Sequence, residues 1–138
     1  RCYTYIKALG AEGVKKMSAM AVLSAKYLYH ELKDTYPTLP SRSESSPRMH
    51  EFILTLTDDE FAKIANAGTV KSAAIAKIGK LFLDFGLHAP TVAFPEIYGL
   101  MVEPTESFTK KELDDFISVV KEIKLIIKRN KKIKPNAV

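Results

Sequence analysis

The sequence predicts an α+β domain in which helices cover one face of a small, mostly antiparallel sheet. Three observations support this prediction. Apolar residues recur every three or four positions in three long segments, which is typical of amphipathic helices. Short runs rich in aromatic and β-branched residues lie between these segments and end at prolines or acidic residues, as strands do. A length of 138 residues with 46% apolar content suits a single domain with one core.

The first predicted helix covers about residues 11–32. Gly10 separates it from the aromatic segment 3–9, which we also expect to be helical. The next stretch, 33–48, contains three prolines and four serines and is predicted to be an exposed connection. The apolar stripe of the helix consists of Val14, Met17, Ala21, Ala25, Leu28 and Leu32.

The middle of the chain contains a predicted strand and a predicted helix. Residues 50–57 are rich in Phe, Ile, Leu and Thr, which favours a strand inside a sheet. Segment 58–67 is compatible with a helix, and a clearer helix covers 70–85 and ends at Gly86, a residue suited to a left-handed cap. The side chains that this helix is expected to bury are Ile75, Ile78, Phe82 and Phe85.

Two short strands and a helix are predicted for the last third of the chain. Residues 89–94 and 99–103 each stop at a proline and can pair as a hairpin. Thr109 and Glu112 form a capping box that begins the last helix, which reaches about Lys128. Its hydrophobic staple and apolar stripe consist of Phe108, Leu113, Phe116, Val120, Ile123 and Ile127.

The net charge of +5 comes from one end of the chain. Residues 121–138 carry a surplus of +6, whereas the other 120 residues carry −1. No aromatic side chain is interleaved with these charges to stack on a base, so we expect a solvated helix end and no nucleic-acid partner. No window contains the roughly 18 consecutive apolar residues of a membrane helix, so we expect no membrane partner either. The chain begins at Arg1 without a leader-like segment, and we expect this start to be cut.

Cysteine, histidine and glycine usage argues against several classes of site. Cys2 is the only cysteine, which rules out an internal disulfide and favours a reducing compartment such as the cytoplasm. The three histidines, His30, His50 and His88, have no metal-binding spacing, so we expect no metal. The glycines form no phosphate-binding loop. The residues alone therefore predict no self-contained catalytic site.

His88 and Thr91 belong to the densest cluster of reactive and turn-forming residues, which directly follows Gly86. With Pro90 stiffening the backbone between them, they can hold a small anion such as a carboxylate. Alternatively, His88 caps the preceding helix and Thr91 fills a strand face, and the residues alone favour this second interpretation. His50 and Glu51 alternate along a strand, so we expect them on opposite faces and not acting as a pair.

Four segments, taken in order, resemble one family. They read YIKALGAEGVKKMSAMAVLSAKYL at 5–28, HEFILTLT at 50–57, FLDFGLHAPTVAFP at 82–95 and LMVEPTESFTKKELDDFI at 100–117. This series resembles the C-terminal part of the glycine decarboxylase P-proteins, the pyridoxal-phosphate enzymes of the glycine cleavage system. The opening Arg-x-Tyr-x-Tyr-Ile is more similar to the separate second subunit of the two-subunit form than to the single-chain form.

The resemblance implies that residues 1–138 form one unit, the small C-terminal domain of a fold type I pyridoxal-phosphate enzyme. In that family the cofactor lysine and phosphate loop belong to a large domain, which lies upstream of Arg1. The resemblance therefore implies that this chain holds no cofactor and has no catalytic residue of its own. The full enzyme decarboxylates glycine and passes the aminomethyl group to the lipoyl arm of H-protein. The implied partners are the large domain, P-protein subunit 1 and lipoylated H-protein.

The resemblance also implies that the small domain closes over the cofactor cleft. His88, Thr91 and His50 become candidates for its cleft-facing edge, although a family motif can equally mark packing between domains. Segments 41–47 and 58–69 depart from the family pattern and receive no role. A domain made to be covered is expected to expose a contiguous apolar patch on its first helix and on segment 3–9, through which the chain can self-associate.

Two other classes of function remain open at this point. One is a stand-alone ligand-binding α+β module of ferredoxin-like shape. The other is the small domain of a different type I pyridoxal-phosphate enzyme, such as an aminotransferase or a decarboxylase of larger amino acids. Such domains commonly offer an arginine to the substrate carboxylate, and no arginine lies between Arg48 and Arg129, which argues against this second class.

Overall fold

Four helices and four short strands make up the described part of the chain, which comprises residues 1–39, 49–64, 70–93 and 98–129 of a computed structural model. In chain order the elements are α1 (Cys2–Leu32), β1 (Thr38–Leu39), β2 (Phe52–Thr55), α2 (Asp58–Ile64), α3 (Lys71–Asp84), β3 (Thr91–Ala93), β4 (Gly99–Val102) and α4 (Lys110–Arg129). The predicted α+β class is confirmed. None of the helices in the described ranges combines the length and hydropathy that a membrane crossing requires.

The strands form one antiparallel sheet in the order β1-β2-β4-β3. The predicted hairpin between β3 and β4 is confirmed, with Thr91 opposite Met101. On its other side β4 pairs with β2, with Phe52 opposite Val102. Strand β4 therefore lies between β2 and β3. The starts of β2 and β3 and the end of β4 lie together at one end of the sheet, which we call the sheet edge.

The core lies between one face of the sheet and the helices. Alternate positions of β2 and β4 are buried, as the period of two requires, and the residues are Phe52, Leu54, Leu100 and Val102. Helices α3 and α4 supply the largest share of the opposing side chains, among them Ile75, Ile78, Phe82, Val120, Ile123 and Ile127. The rings of Phe82 and Phe116 stack with centroids 5.9 Å apart.

Helix α1 is broken at Gly10, where φ is +62° and ψ is 179°. This conformation is accessible to glycine at little cost, and it ends the regular helix as predicted. Ala25, Leu28 and Leu32 of the predicted stripe are buried, whereas Val14, Met17 and Ala21 are half-buried. Large apolar side chains remain exposed along α1, namely Tyr3, Tyr5, Ile6, Met20 and Leu23. Apolar side chains are thus exposed on this helix as expected, and self-association through them stays a prediction.

Three details differ from the expectations. The exposed connection predicted at 33–48 contains strand β1 and the buried ring of Tyr36, whose hydroxyl donates to the carbonyl of Val120 at 3.1 Å. Strand β2 begins at Phe52 and not at residue 50. Phe85, predicted to be buried, is 39% exposed because α3 ends at Asp84 and Phe85 already belongs to its cap. The remainder of that connection, which includes segment 41–47, and residues 130–138 of the lysine-rich end lie outside the described residues.

Helix α2 begins with a capping box that the sequence analysis overlooked. The amide of Glu60 donates to the Thr57 hydroxyl at 3.3 Å, and the amide of Thr57 donates to the Glu60 carboxylate at 3.2 Å. The same carboxylate also lies 2.6 Å from the Lys124 ammonium, in the core. Glu60 therefore both caps α2 and joins it to α4.

Candidate functional site: a groove at the sheet edge

A groove of about 510 Å³ lies where the end of α3, the start of β3, the end of β4 and the first turns of α4 meet. Its apolar wall includes Leu28, Leu87, Met101, Phe108, Leu113 and Phe116. Its polar side chains are His88, Thr91, Glu103, Glu112 and Asp115. The groove thus joins two of the segments that carry the family resemblance, 82–95 and 100–117.

The end of α3 fixes the direction of the His88 segment. The amide of Gly86 donates to the carbonyl of Leu83, and the amide of Leu87 donates to the carbonyl of Phe82, each at 2.9 Å. With Gly86 at φ +75° this is a Schellman cap. Backbone amides therefore donate hydrogen bonds to the last carbonyls of α3, and the His88 side chain is exposed at the groove. The alternative in which His88 caps the helix is not what the structure shows.

The start of α4 forms the opposite wall through the predicted capping box, which is confirmed. The amide of Thr109 donates to the Glu112 carboxylate at 2.7 Å, and the amide of Glu112 donates to the Thr109 hydroxyl at 3.3 Å. The bond from the Thr109 amide holds the pKa of Glu112 below its ordinary value. Glu112 is therefore an anion that is already engaged in capping.

At the end of β4, Glu103 lines the groove and pairs with a histidine from the neighbouring strand segment. The His50 Nε2 atom lies 3.1 Å from the Glu103 Oε1 atom. The carboxylate of Glu51 is near both, since ligand atoms of His50, Glu51 and Glu103 all lie within 4.8 Å of one another. The expectation that His50 and Glu51 point apart is wrong, because both precede β2 and its strict alternation does not extend to them.

The arm before Gly10 also reaches this edge. The Tyr5 hydroxyl donates to the Glu106 carboxylate at 2.8 Å, although the two residues are 101 positions apart in the chain. This hydrogen bond raises the pKa of Tyr5 above its ordinary value. The exposed start of α1 and the segment that follows β4 therefore belong to one surface.

Sequence reasoning found part of this site. His88 and Thr91 line the groove as a pair, whereas His50 does not line it and contacts it through Glu103. Glu103, Glu112 and Asp115 were not among the candidates, since their proximity depends on pairing between distant strands and on how α4 docks. The run Glu103-Pro104-Thr105-Glu106 within the family segment was the available indication for the first of them.

The electrostatics of the groove do not suit a free anion. Three of its five polar side chains are carboxylates, and no lysine or arginine is among the described residues that line it. Asp115 is paired with Lys111 at 2.7 Å and Glu112 serves the helix cap, so the charge is partly compensated. Binding of a small carboxylate by His88 and Thr91 is therefore electrostatically unfavourable. A role of these residues in shaping an apolar, acidic surface fits the groove better.

Comparison with known proteins identifies related chains. A family described as "Glycine dehydrogenase, C-terminal domain" matches residues 17–137. The chain is 41% identical over 125 residues to the "Probable glycine dehydrogenase (decarboxylating) subunit 2" of Fervidobacterium nodosum, and the match covers 89% of this chain. It is 40% identical over 135 residues to the protein of the same name from Oceanobacillus iheyensis, covering 96% of this chain. It is 39% identical over 127 residues to the "Glycine dehydrogenase (decarboxylating)" of Yersinia enterocolitica, covering 92% of this chain.

These relatives are much longer than the chain. The match spans 24% of the Fervidobacterium protein, 25% of the Oceanobacillus protein and 12% of the Yersinia protein. The family match covers most of the 138 residues and includes every described residue that lines the groove, together with His50 and Glu51. The chain therefore belongs to the glycine dehydrogenase C-terminal domain family.

Proposed function

We propose that this chain is the C-terminal domain of a glycine-decarboxylating enzyme and that its groove forms one edge of the substrate cleft. One observation carries the proposal: the fold brings the His88 segment and the Glu103 segment, which lie apart in the sequence, side by side at one groove, opposite the start of α4. The names of the relatives, which mention glycine dehydrogenase and decarboxylation, supply the reaction.

Pyridoxal phosphate, which the resemblance implies, does not fit the residues of the groove. The cofactor needs donors for a phosphate dianion and a lysine amine for its aldehyde, and the described lining residues offer carboxylates and neither lysine nor arginine. The buried ammonium of Lys124 is held by Glu60 in the core. We therefore assign the cofactor to a part of the enzyme other than this chain.

The role left for the chain is to orient the substrate and to enclose it in the cleft. His88 is exposed beside an apolar wall that includes Leu87 and Phe108, so closure of this edge over a substrate excludes water from the reacting groups. The contact between His50 and Glu103 fixes the end of β4. Neither His88 nor Thr91 has a described neighbour that would make it a nucleophile, and we give them positioning roles.

The partners follow from the same proposal. The chain contacts a large domain that binds pyridoxal phosphate, P-protein subunit 1 in the two-subunit form, and lipoylated H-protein during turnover. Its relatives include both proteins named subunit 2 and longer single-chain proteins, and the opening residues favour the former. The single cysteine supports a cytoplasmic location.

Replacing His88 with alanine tests the proposal in the complete enzyme. An exposed side chain at the cleft edge contributes little to folding, so stability should change by no more than about 1 kcal/mol. Loss of orientation should lower glycine–carbon dioxide exchange by about tenfold or more. Thermal unfolding and exchange are measured on the same preparation.

His30→Ala is the matched control, because the His30 side chain is also exposed but does not line the groove. It should leave both exchange and stability unchanged. Normal exchange in His88→Ala, with or without a loss of stability, would remove His88 from the cleft edge and favour a role in packing between domains.

The cofactor assignment gives a separate prediction. The 138-residue chain, incubated with pyridoxal phosphate and then treated with borohydride, should carry only scattered, substoichiometric label on surface lysines. The reason is that the described groove lacks both an anion site and a lysine. Mass spectrometry after proteolysis checks the result, and one cofactor per chain on a single lysine would contradict the assignment.

A further inference from the structure

The side chains of His50, Glu51 and Glu103 form a compact cluster at the edge of the sheet, beside the groove. Pairing of Phe52 with Val102 continues outward to place Glu51 opposite Glu103, and His50 is adjacent. The donor atoms of all three residues lie within 4.8 Å of one another, and the His50 Nε2 and Glu103 Oε1 atoms are 3.1 Å apart. Antiparallel pairing of distant segments thus brings together one nitrogen and two carboxylate ligands, a set that the spacing of these residues in the sequence does not predict.

The cluster carries more negative charge than its described neighbours compensate. Two carboxylates share one imidazole, and among the described residues no lysine or arginine pairs with either Glu51 or Glu103. The other exposed carboxylates near this edge do have partners, since Asp115 pairs with Lys111 and Glu106 accepts from Tyr5. A cation bound at this cluster would therefore gain more electrostatic stabilisation than a cation bound elsewhere on this edge.

We propose that His50, Glu51 and Glu103 bind one divalent ion of the zinc, cobalt and manganese class. Bonds of roughly 2.0–2.2 Å from a metal to two neighbouring ligands place those ligands about 3.0–3.5 Å apart, which matches the 3.1 Å between His50 and Glu103. An imidazole nitrogen in the set favours these ions over calcium and magnesium, which prefer oxygen ligands. This proposal departs from the expectation, based on histidine spacing, that the chain holds no metal.

The exposure of the ligands fixes the kind of site. The side chains of His50 and Glu103 are 44% and 49% exposed, so water completes the coordination and the ion exchanges with solvent. Glu103 also lines the groove, so the proposed ion would lie beside it. The ion would tie the strand segment before β2 to the segment after β4 and thereby fix one end of the groove.

Metal titration of the 138-residue chain tests the proposal. The protein carries Cys2→Ser, because an exposed cysteine beside the amino terminus is a competing zinc ligand. After treatment with a chelator it is titrated with Zn²⁺ by calorimetry and with Co²⁺ by visible absorption. We expect one saturable site, and affinity lower by at least about tenfold in His50→Gln and in Glu103→Gln. His30→Ala, which removes a histidine that also faces a glutamate, should bind as tightly as the parent.

Circular dichroism checks that each variant is folded. Both glutamine replacements approximately retain side-chain size, so a loss of affinity reports the loss of a ligand and not a loss of folding. Mn²⁺ provides a direct readout, because it should broaden the ring signals of His50 before those of His30 in NMR spectra. Absence of saturable binding to the parent, or equal affinity in parent and His50→Gln, would overturn the proposal. Either result concerns only this chain and leaves the proposed role in glycine decarboxylation untouched.

Discussion

Replacing Lys124 with alanine should lower the free energy of unfolding by about 3–5 kcal/mol, the range measured when one partner of a buried ion pair is removed. The Lys124 side chain is 6% exposed, and its ammonium lies 2.6 Å from the Glu60 carboxylate and 4.4 Å from the centroid of the Tyr36 ring. Truncation leaves the Glu60 carboxylate, itself 10% exposed, without its cation in the core. It also removes the methylene chain that packs there.

Urea unfolding of the 138-residue chain measures the effect, with Lys128→Ala as control because Lys128 lies on the exposed side of the same helix. The control should change stability by less than about 0.5 kcal/mol. The double variant Glu60→Leu/Lys124→Met should recover most of the lost stability, since it removes both charges and retains volume. A Lys124→Ala chain as stable as the control would show that the pair is not buried in solution.

The same pair sets a pH dependence. Burial raises the pKa of Glu60, but the Lys124 ammonium and the donors of Thr57 outweigh burial and hold the pKa below its ordinary value of 4.5. A depressed carboxyl pKa contributes stability that is complete above the unfolded-state value and disappears as the pH falls through the lower folded-state value. The chain should therefore lose stability below about pH 4.5. In Glu60→Gln the free energy of unfolding should depend less on pH in this range.

The helices were predictable because their information is local. The period of three and four residues, the Thr109–Glu112 capping box and the glycines at 10 and 86 each specify structure within a few positions. Strand β1 was not predictable, because two residues have no period and Thr38–Leu39 is a strand only through its pairing with β2. Tyr36 was assigned to an exposed loop for the same reason.

The buried ion pair escaped prediction because charged residues on a helix are ordinarily assigned to the solvated face. Lys124 directly follows Ile123 on the buried side of α4, and its burial depends on Glu60 arriving from α2. The candidate site shows the same limit. Local sequence singled out His88 and Thr91, whereas the contact between His50 and Glu103 requires β4 to lie beside β2, which hairpin rules do not determine.

Gly99, the only glycine in the described strands, should not accept a side chain without a cost in stability. It begins β4 opposite Thr55, and a Cβ atom there would lie 2.6 Å from the carbonyl oxygen of Leu54 and 2.6 Å from the Ile53 Cγ2 atom. Both distances are far inside van der Waals contact, and a backbone carbonyl cannot turn away as a flexible side chain can. Strand β2 would have to move from β4, which carries Glu103 at the groove.

Gly99→Ala should therefore destabilise the chain by about 1–3 kcal/mol, the usual cost of overpacking. Gly79→Ala is the matched control: Gly79 lies inside α3, its added methyl would meet only the Cβ atom of Ala89 at 3.5 Å, and helix propensity should make it stabilising by about 0.5–1 kcal/mol. Urea unfolding of the two variants should thus give changes of opposite sign from the same substitution. Equal changes in both would mean that β2 and β4 do not approach as closely as the sheet register requires.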